Sequence, residues 1–362
     1  MKRLIGFEHG MGIGGWLTNY KRFHVLPEER RKDITIGDLE HFATYITEAD
    51  VAYIASLGMD HIRLGFDQIV VEEAPGAFRE AVMERMDAFV SWCEAHGLNV
   101  VLNLHKAVGN YCDIHEDVHL LDDEGLQAGF VDLWCRFEER YEGKPGVAFE
   151  LLNEVVDVDP AKWNTLVDKA VTALRAKNAT RKLIIGSTCW NNVDRLKHLH
   201  IYDDDNIIYT FHMYAPFEFT HQRGVLQANT LYYNRIMPYP GDIERYRDYA
   251  RTVCGAKEPY VGYERMDERF VRNCLYPATV FLKEHPNAIL WCGEFGTIRH
   301  ADIRWRENYM RDVIRFLKDY EIPYCVWNYL STPNDGNRFS LVDDDHRRIL
   351  SEEMARIIRG EV

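Results

Sequence analysis

Apolar runs typical of buried strands alternate with helical patterns along most of the chain. One such repeat runs from a helical pattern over 78–96, which stops before Gly97, into the apolar run 99–105. Strand patterns occur eight times, at 4–7, 61–66, 99–105, 149–154, 182–187, 206–214, 288–296 and 323–329. Strand–helix alternation indicates a parallel sheet, and eight strands allow that sheet to close. The sequence therefore predicts an α/β fold, a (β/α)8 TIM barrel.

One connection in this series is too long for a simple loop. It covers 217–266, is rich in Tyr and Arg, and contains the turn-forming sequence Pro238-Tyr239-Pro240-Gly241. Long connections in compact domains are usually functional. Because single barrels reach 362 residues with insertions, we predict one catalytic domain over 1–362. The segment 217–266 is expected to form a small lid subdomain inserted after the sixth strand.

Composition and charge exclude several classes of partner. The net charge of -14 argues against a nucleic acid or an anionic membrane, whereas a neutral ligand is compatible with it. The start of the chain lacks an apolar run long enough for a signal peptide, and the eight cysteines form no C-x-x-C pair. We therefore expect a cytoplasmic monomer with reduced thiols, or a secreted protein if a leader has been removed.

A glycine-rich segment near the start formally matches the dinucleotide-binding pattern G-x-G-x-x-G. It runs from Gly10 to Gly15, but the residues after it do not open a convincing helix. No strand ending in Asp or Glu follows at the expected distance either. We interpret the segment as a flexible first βα loop that brings the backbone close to a ligand.

A second motif, H-E-x-x-H at 115–119, would place two zinc-binding histidines on one face of a helix. It lies in the acidic stretch 113–124, and no apolar helical pattern precedes it. A solvated loop is the preferred interpretation, with a zinc peptidase as the alternative. No metal and no cofactor is predicted.

Polar and aromatic side chains collect where the predicted strands end. They are Arg63, His105, Asn153, Glu154, His212, Tyr214, Glu294 and Trp327. The carboxyl ends of parallel barrel strands carry the chemistry of this fold. Two strand-end carboxylates, Glu154 and Glu294, are what cleavage of a glycosidic bond requires.

Several segments of the chain resemble glycoside hydrolase family 5, and within it cellulases of the clostridial endoglucanase C type. The segments that carry the resemblance are 62–64 (Ile-Arg-Leu), 102–105 (Leu-Asn-Leu-His), 149–154 (Phe-Glu-Leu-Leu-Asn-Glu), 211–214 (Phe-His-Met-Tyr) with Pro216 and 219–222, 292–296 (Cys-Gly-Glu-Phe-Gly) and 326–329 (Val-Trp-Asn-Tyr). They span nearly the whole chain in the order of the family.

The resemblance implies a retaining double displacement without a cofactor. Glu294 would be the nucleophile and Glu154 the acid and then the base, on strands four and seven at opposite sides of the barrel mouth. Arg63 and Tyr214 would stabilise the carboxylate of Glu294. His212 would orient Glu154.

The remaining residues of the resemblance would hold the sugar. Asn153 would bind the 2-hydroxyl group, and His105 would bind other hydroxyl groups of the sugar being cleaved. Trp327 would be the floor on which that sugar stacks. Trp190 would extend this platform or serve packing alone.

Three positions depart from the family pattern and leave the substrate open. They are Val155 in place of a proline, Lys106 in place of a second histidine, and 187–190 in place of a glycine and an asparagine. The expected substrate is β-1,4 or mixed β-1,3/1,4 glucan. An exo-acting β-glucosidase or β-1,3-glucanase, a β-mannanase on short oligosaccharides, and a non-catalytic carbohydrate-binding barrel remain alternatives.

Overall fold

Eight parallel strands close into a barrel, as the alternation of patterns predicts. The computed structural model describes residues 2–21, 33–111, 118–333 and 335–362. The strands are β1 (His9–Leu17), β2 (His61–Asp67), β3 (Asn99–Lys106), β4 (Val147–Glu150), β5 (Leu183–Gly186), β6 (Ile207–Met213), β7 (Ile289–Phe295) and β8 (Tyr324–Val326). Each strand pairs in parallel with its neighbours in chain order, and β1 pairs with β8 to close the barrel.

Helices follow the strands and cover the outside of the barrel. Their bounds are Ile36–Thr44, Glu48–Ser56, Gln68–Val71, Glu80–Ala95, Glu124–Tyr141, Pro160–Lys177, Thr188–Asn191, Phe217–Thr220, Ala228–Tyr233, Ile243–Cys254, Glu268–Glu284, Ile303–Asp319 and Glu352–Ile358, with a 3-10 helix at Val193–His198. Each long helix buries one apolar face against the barrel. This burial explains why apolar residues recur in the sequence with the 3.6-residue period of a helix. None of the helices in the described part of the chain has the length and apolar character needed to cross a membrane.

The first strand is the main error of the sequence-based prediction. Residues 4–7 are not a strand, and the glycine-rich segment is not a loop, because β1 runs from His9 to Leu17. Leu4 and Phe7 instead join a buried cluster with side chains from strands β3 to β8. Their apolar character therefore reflects burial in the barrel, not strand pairing.

The segment 217–266 contains short elements of its own. Three helices lie within it, and a two-stranded antiparallel pair joins Gly241–Asp242 to Arg265–Met266. The H-E-x-x-H match includes residues 115–117, which lie outside the described part of the chain.

Candidate active site

The two predicted glutamates meet at the carboxyl end of the barrel. Glu294 lies in β7, and Glu154 follows the end of β4 by four residues. One carboxylate oxygen of each residue and one ring nitrogen of His212 all lie within 4.8 Å of one another. The barrel thus brings together two carboxyl groups that are 140 residues apart in the sequence (294 − 154).

Both oxygens of the Glu294 carboxylate accept hydrogen bonds. Arg63 Nη1 donates to Oε2 at 2.7 Å, and the Tyr214 hydroxyl donates to Oε1 at 2.6 Å. Burial raises the pKa of Glu294, while the positive charge of Arg63 and the Tyr214 hydrogen bond lower it. Burial and the nearby Glu294 raise the pKa of Tyr214 well above its usual value, so the phenol remains a donor.

Arg63 is fully buried at the centre of this network. Its guanidinium makes a bidentate ion pair with Glu150, in which Nε donates at 2.6 Å and Nη2 at 2.9 Å. Nη2 also donates to the side-chain oxygen of Asn153 at 2.7 Å. Glu150 was not predicted as a site residue. A glutamate inside an otherwise apolar buried strand was the available signal, because such a charge needs a buried cationic partner.

Glu154 is more exposed than Glu294 and has a different partner. Its side chain is 20% exposed, and His212 Nδ1 lies 2.9 Å from its Oε1. The other ring nitrogen of His212 lies 3.1 Å from the side-chain nitrogen of Asn191, which donates to it. Burial lowers the pKa of His212 to about 4, so the neutral ring donates from Nδ1 to Glu154 near neutral pH.

Trp327 forms an aromatic surface beside these carboxylates. It is 9% exposed and packs with Ile298, Phe339 and Tyr214. Its ring lies so close to β1 that a Cβ atom at Gly12 or Gly14 would come within 2.7 Å of it. The glycines of the first strand therefore make room for this tryptophan.

His105 lies almost parallel to Trp327, with 5.6 Å between the ring centroids and 12° between the planes. Its Nδ1 is 2.9 Å from the side-chain oxygen of Asn103. Its Nε2 faces the side-chain nitrogens of Asn19 at 3.3 Å and Asn153 at 3.4 Å. Burial lowers the pKa of His105 well below its usual value, so the ring is neutral.

The last of the predicted site residues, Trp190, is half-buried after β5. Its backbone N–H donates to the carbonyl oxygen of Val155 at 2.8 Å. The turn that carries Trp190 is thus attached to the segment that follows Glu154.

Glu154, His212 and Glu294 are also the residue types that bind metal ions. A cation there would lie close to the guanidinium of Arg63, which is 2.7 Å from Glu294. It would also compete with the Tyr214 hydroxyl for the Glu294 oxygens. Repulsion between like charges therefore disfavours a metal ion at this cluster.

Comparison with known proteins places the chain in a family. The family model described as "Cellulase (glycosyl hydrolase family 5)" matches residues 28–332. Endoglucanase C of Acetivibrio thermocellus is 34% identical over 361 residues, which cover 98% of each chain. Cellodextrinase A of Ruminococcus flavefaciens is 28% identical over 298 residues, covering 81% of this chain and 76% of the relative.

A solved structure agrees with this result at the level of the fold. The endoglucanase Cel5A of Thermotoga maritima superposes with a TM-score of 0.73 at 21% identity, covering 98% of this chain and 97% of that one. The barrel, the matched length and the identity to Endoglucanase C lead to one conclusion: the chain belongs to glycoside hydrolase family 5 and is a glycoside hydrolase.

Proposed function

We propose that this enzyme hydrolyses β-1,4 or mixed β-1,3/1,4 glucan with retention of anomeric configuration. Glu294 is the nucleophile, and Glu154 is the acid and base. The observation that carries the proposal is the approach of their carboxylate oxygens to within 4.8 Å. Retaining glycosidases place the two carboxyl groups about 5–5.5 Å apart, whereas inverting ones need roughly 6.5–9.5 Å to admit a water molecule.

In the first step, Glu294 attacks the anomeric carbon while the carboxyl group of Glu154 protonates the leaving oxygen. The glycosyl–enzyme ester forms as the glycosidic bond breaks. In the second step, Glu154 accepts a proton from water, which attacks the anomeric carbon and releases Glu294. The difference in exposure between the buried Glu294 and the partly exposed Glu154 suits these roles, since water must reach Glu154.

Arg63 and Tyr214 support the nucleophile in this scheme. Both donate to the Glu294 carboxylate, so they favour its ionised form against the effect of burial. His212 holds Glu154 through one ring nitrogen and is itself held by Asn191. Trp327 supplies the apolar face on which the sugar stacks.

The choice of glucan is supported by the relatives. A relative that matches 98% of the chain is named an endoglucanase, and one that matches 81% of it is named a cellodextrinase. The net charge of -14 is compatible with such a neutral substrate.

The test is hydrolysis of an activated aryl β-cellobioside, followed by NMR to determine the configuration of the first-formed sugar. Glu154→Ala should retain cleavage of a substrate with a good leaving group, and added azide should accelerate it and yield the β-glycosyl azide. Glu294→Gly with azide should yield the α-glycosyl azide, because azide then attacks from the side of the missing nucleophile.

The matched control is Glu264→Gln, which changes an exposed glutamate in the segment 217–266 and should leave turnover unchanged. Inversion of configuration, or near-normal turnover in Glu294→Gln, would refute the two-glutamate mechanism. Aryl β-mannoside and β-glucoside in the same assay define the sugar preference.

A second candidate is exo action on short oligosaccharides, with the segment 217–266 serving as a lid. This segment is attached to the connection after β8, because the N–H groups of Val225 and Leu226 donate to the side-chain oxygen of Asn337 at 2.8 and 3.0 Å. Such a bridge would close one end of a cleft. Viscosity loss per reducing end released from soluble glucan separates the two modes, since an endo enzyme lowers viscosity early and an exo enzyme does not.

A further inference from the structure

A buried lysine lies next to His105 at the end of β3. Lys106 is 1% exposed, and its ammonium group donates to the side-chain oxygen of Asn19 at 2.5 Å. A buried ammonium without acceptors would be costly, so this contact fixes the direction of the Asn19 carboxamide. It is also the position at which the family resemblance leads one to expect a second histidine.

The orientation of the Asn19 carboxamide determines which group faces His105. Asn19 follows β1, is half-buried, and has a left-handed backbone with φ of 55°, a conformation that asparagine tolerates better than most residues. Because its oxygen faces Lys106, its nitrogen faces His105 Nε2 at 3.3 Å. A carboxamide nitrogen only donates, so Nε2 of His105 has to accept.

The tautomer of His105 follows from these contacts. With Nε2 as the acceptor, the ring proton resides on Nδ1, where the side-chain oxygen of Asn103 receives it at 2.9 Å. Nε2 also faces the side-chain nitrogen of Asn153 at 3.4 Å. The direction of the Asn153 carboxamide is therefore set by the same ring nitrogen.

Asn153 links this chain of hydrogen bonds to the nucleophile. Its side-chain oxygen accepts from Arg63 Nη2 at 2.7 Å, and Nη1 of the same guanidinium donates to Glu294 at 2.7 Å. If the His105 proton moved to Nε2, Asn153 would have to turn its oxygen towards that nitrogen. The N–H groups of Asn153 would then face the N–H groups of Arg63, so that donors would face donors with no acceptor between them.

We propose that Lys106 is a positioning residue that acts through Asn19 to hold His105 in its Nδ1–H tautomer and thereby keeps Asn153 and Arg63 aligned beneath Glu294. Lys106 needs no contact with the substrate for this role. The functional consequence rests on the proposed role of Glu294 as nucleophile, whereas the tautomer itself does not.

The first measurement is a long-range proton–nitrogen NMR spectrum at neutral pH on protein labelled with 15N-histidine, with the His105 signals assigned by their loss in His105→Gln. The wild type should show a protonated Nδ1 and an unprotonated Nε2. Lys106→Met removes the donor, and Asn19→Asp replaces the donor to Nε2 by an acceptor, so both should move proton density to Nε2. Lys106→Gln keeps a donor and should preserve the wild-type tautomer.

The second measurement is steady-state kinetics with an aryl β-cellobioside. Lys106→Met and Asn19→Asp should lower kcat about tenfold or more with little change in KM, and Lys106→Gln should recover most of the loss. The matched control is Lys21→Met, which removes an ammonium group bonded to Asp38 in the same region and should change neither the tautomer nor kcat.

The proposal is overturned if the wild-type proton resides on Nε2, or if the tautomer stays unchanged in both Lys106→Met and Asn19→Asp. It is also overturned if the tautomer changes while kcat stays within twofold of the wild type. A wild type that is inactive on every aryl glycoside would contradict the proposed function instead, and the spectra would still test the tautomer.

Discussion

Individual residues of this site are held by ion pairs between residues that are far apart in the sequence. Arg63 contacts Glu150 and Glu294 at once, and all three side chains are buried. Removing one member of such a cluster leaves an uncompensated charge in a low-dielectric interior.

Replacing Glu150 by Gln should impair both stability and activity. The guanidinium of Arg63 would lose its bidentate carboxylate partner, and the free energy of unfolding should fall by about 3–5 kcal/mol. The matched control is Glu138→Gln, which breaks a similarly buried pair with Arg181 outside the catalytic cluster. Denaturant unfolding should show a similar loss for both variants, while only Glu150→Gln should lower kcat of the folded enzyme. Equal kcat in the two variants would contradict a catalytic effect of Glu150.

Replacing Tyr214 by Phe should shift the pH dependence of activity. In the wild type, the Tyr214 hydrogen bond favours the ionised form of Glu294. Without it, the pKa of Glu294 should rise further, and the acid limb of kcat/KM should move to higher pH. Tyr329→Phe is the control, because it removes a buried phenol that donates to a different carboxylate, Asp50, at 2.9 Å. A pH profile that moves equally in both variants would rule out a specific effect on Glu294.

At the scale of the element, the first strand lacks a clear strand pattern because a tertiary contact requires glycines in it. Four of the nine residues of β1 are glycine, so its apolar alternation is weak and its sequence suggested a loop. Gly12 and Gly14 are required because the Trp327 ring lies against the strand. A strand that lacks side chains on one face can still be essential if a ring from another strand fills that space.

Gly14→Ala should displace Trp327, because the new Cβ would lie 2.6 Å from the ring. We expect a loss of about 1–3 kcal/mol in unfolding free energy from overpacking and a raised KM for the aryl β-cellobioside. The control is Gly129→Ala in the helix Glu124–Tyr141, where no atom lies within 4 Å of an added Cβ. That variant should be slightly more stable, by roughly 0.5–1 kcal/mol, with KM unchanged. An unaltered KM in Gly14→Ala would argue against Trp327 as the sugar platform.

At the scale of the whole molecule, a buried hydrogen bond connects the segment 217–266 to the outer helices. The hydroxyl of Tyr239 donates to Asp312 at 2.8 Å, and Asp312 lies on the helix Ile303–Asp319. Burial raises the pKa of Asp312 to about 6. In the unfolded chain the pKa of an aspartate is about 3.9.

This difference predicts a loss of stability as the pH rises. Between about pH 4 and 6 the folded protein retains a proton that the unfolded chain releases, so folding becomes less favourable, and the loss is complete above pH 6. Asp312→Asn keeps an acceptor for Tyr239 but cannot ionise. The free energy of unfolding of this variant, minus that of the wild type, should therefore increase by about 2 kcal/mol from pH 4 to pH 7.5. Unfolding curves at both pH values provide the measurement, and a constant difference between the two proteins would contradict it.

Much of the architecture could be predicted because the long helices bury one face with a regular period, and because strands buried on both faces are continuous apolar runs. The helical pattern at 78–96 corresponds to the helix Glu80–Ala95, and the strand predicted at 99–105 extends one residue further. Polar residues at strand ends pointed to the candidate site, because a parallel barrel collects those ends at one mouth.

The sequence by itself determined the barrel, through the seven strand patterns that the structure confirms, and the presence of two strand-end glutamates. Only the tertiary structure decided which groups surround them, because those contacts join distant parts of the chain: Arg63 and Glu294 are 231 residues apart. Glu150, Asn19 and Lys106 had no periodic signal, since their positions depend on partners supplied by other strands. The protonation of His212 and His105 was decided in the same way, because burial and neighbouring donors exist only once the barrel has closed.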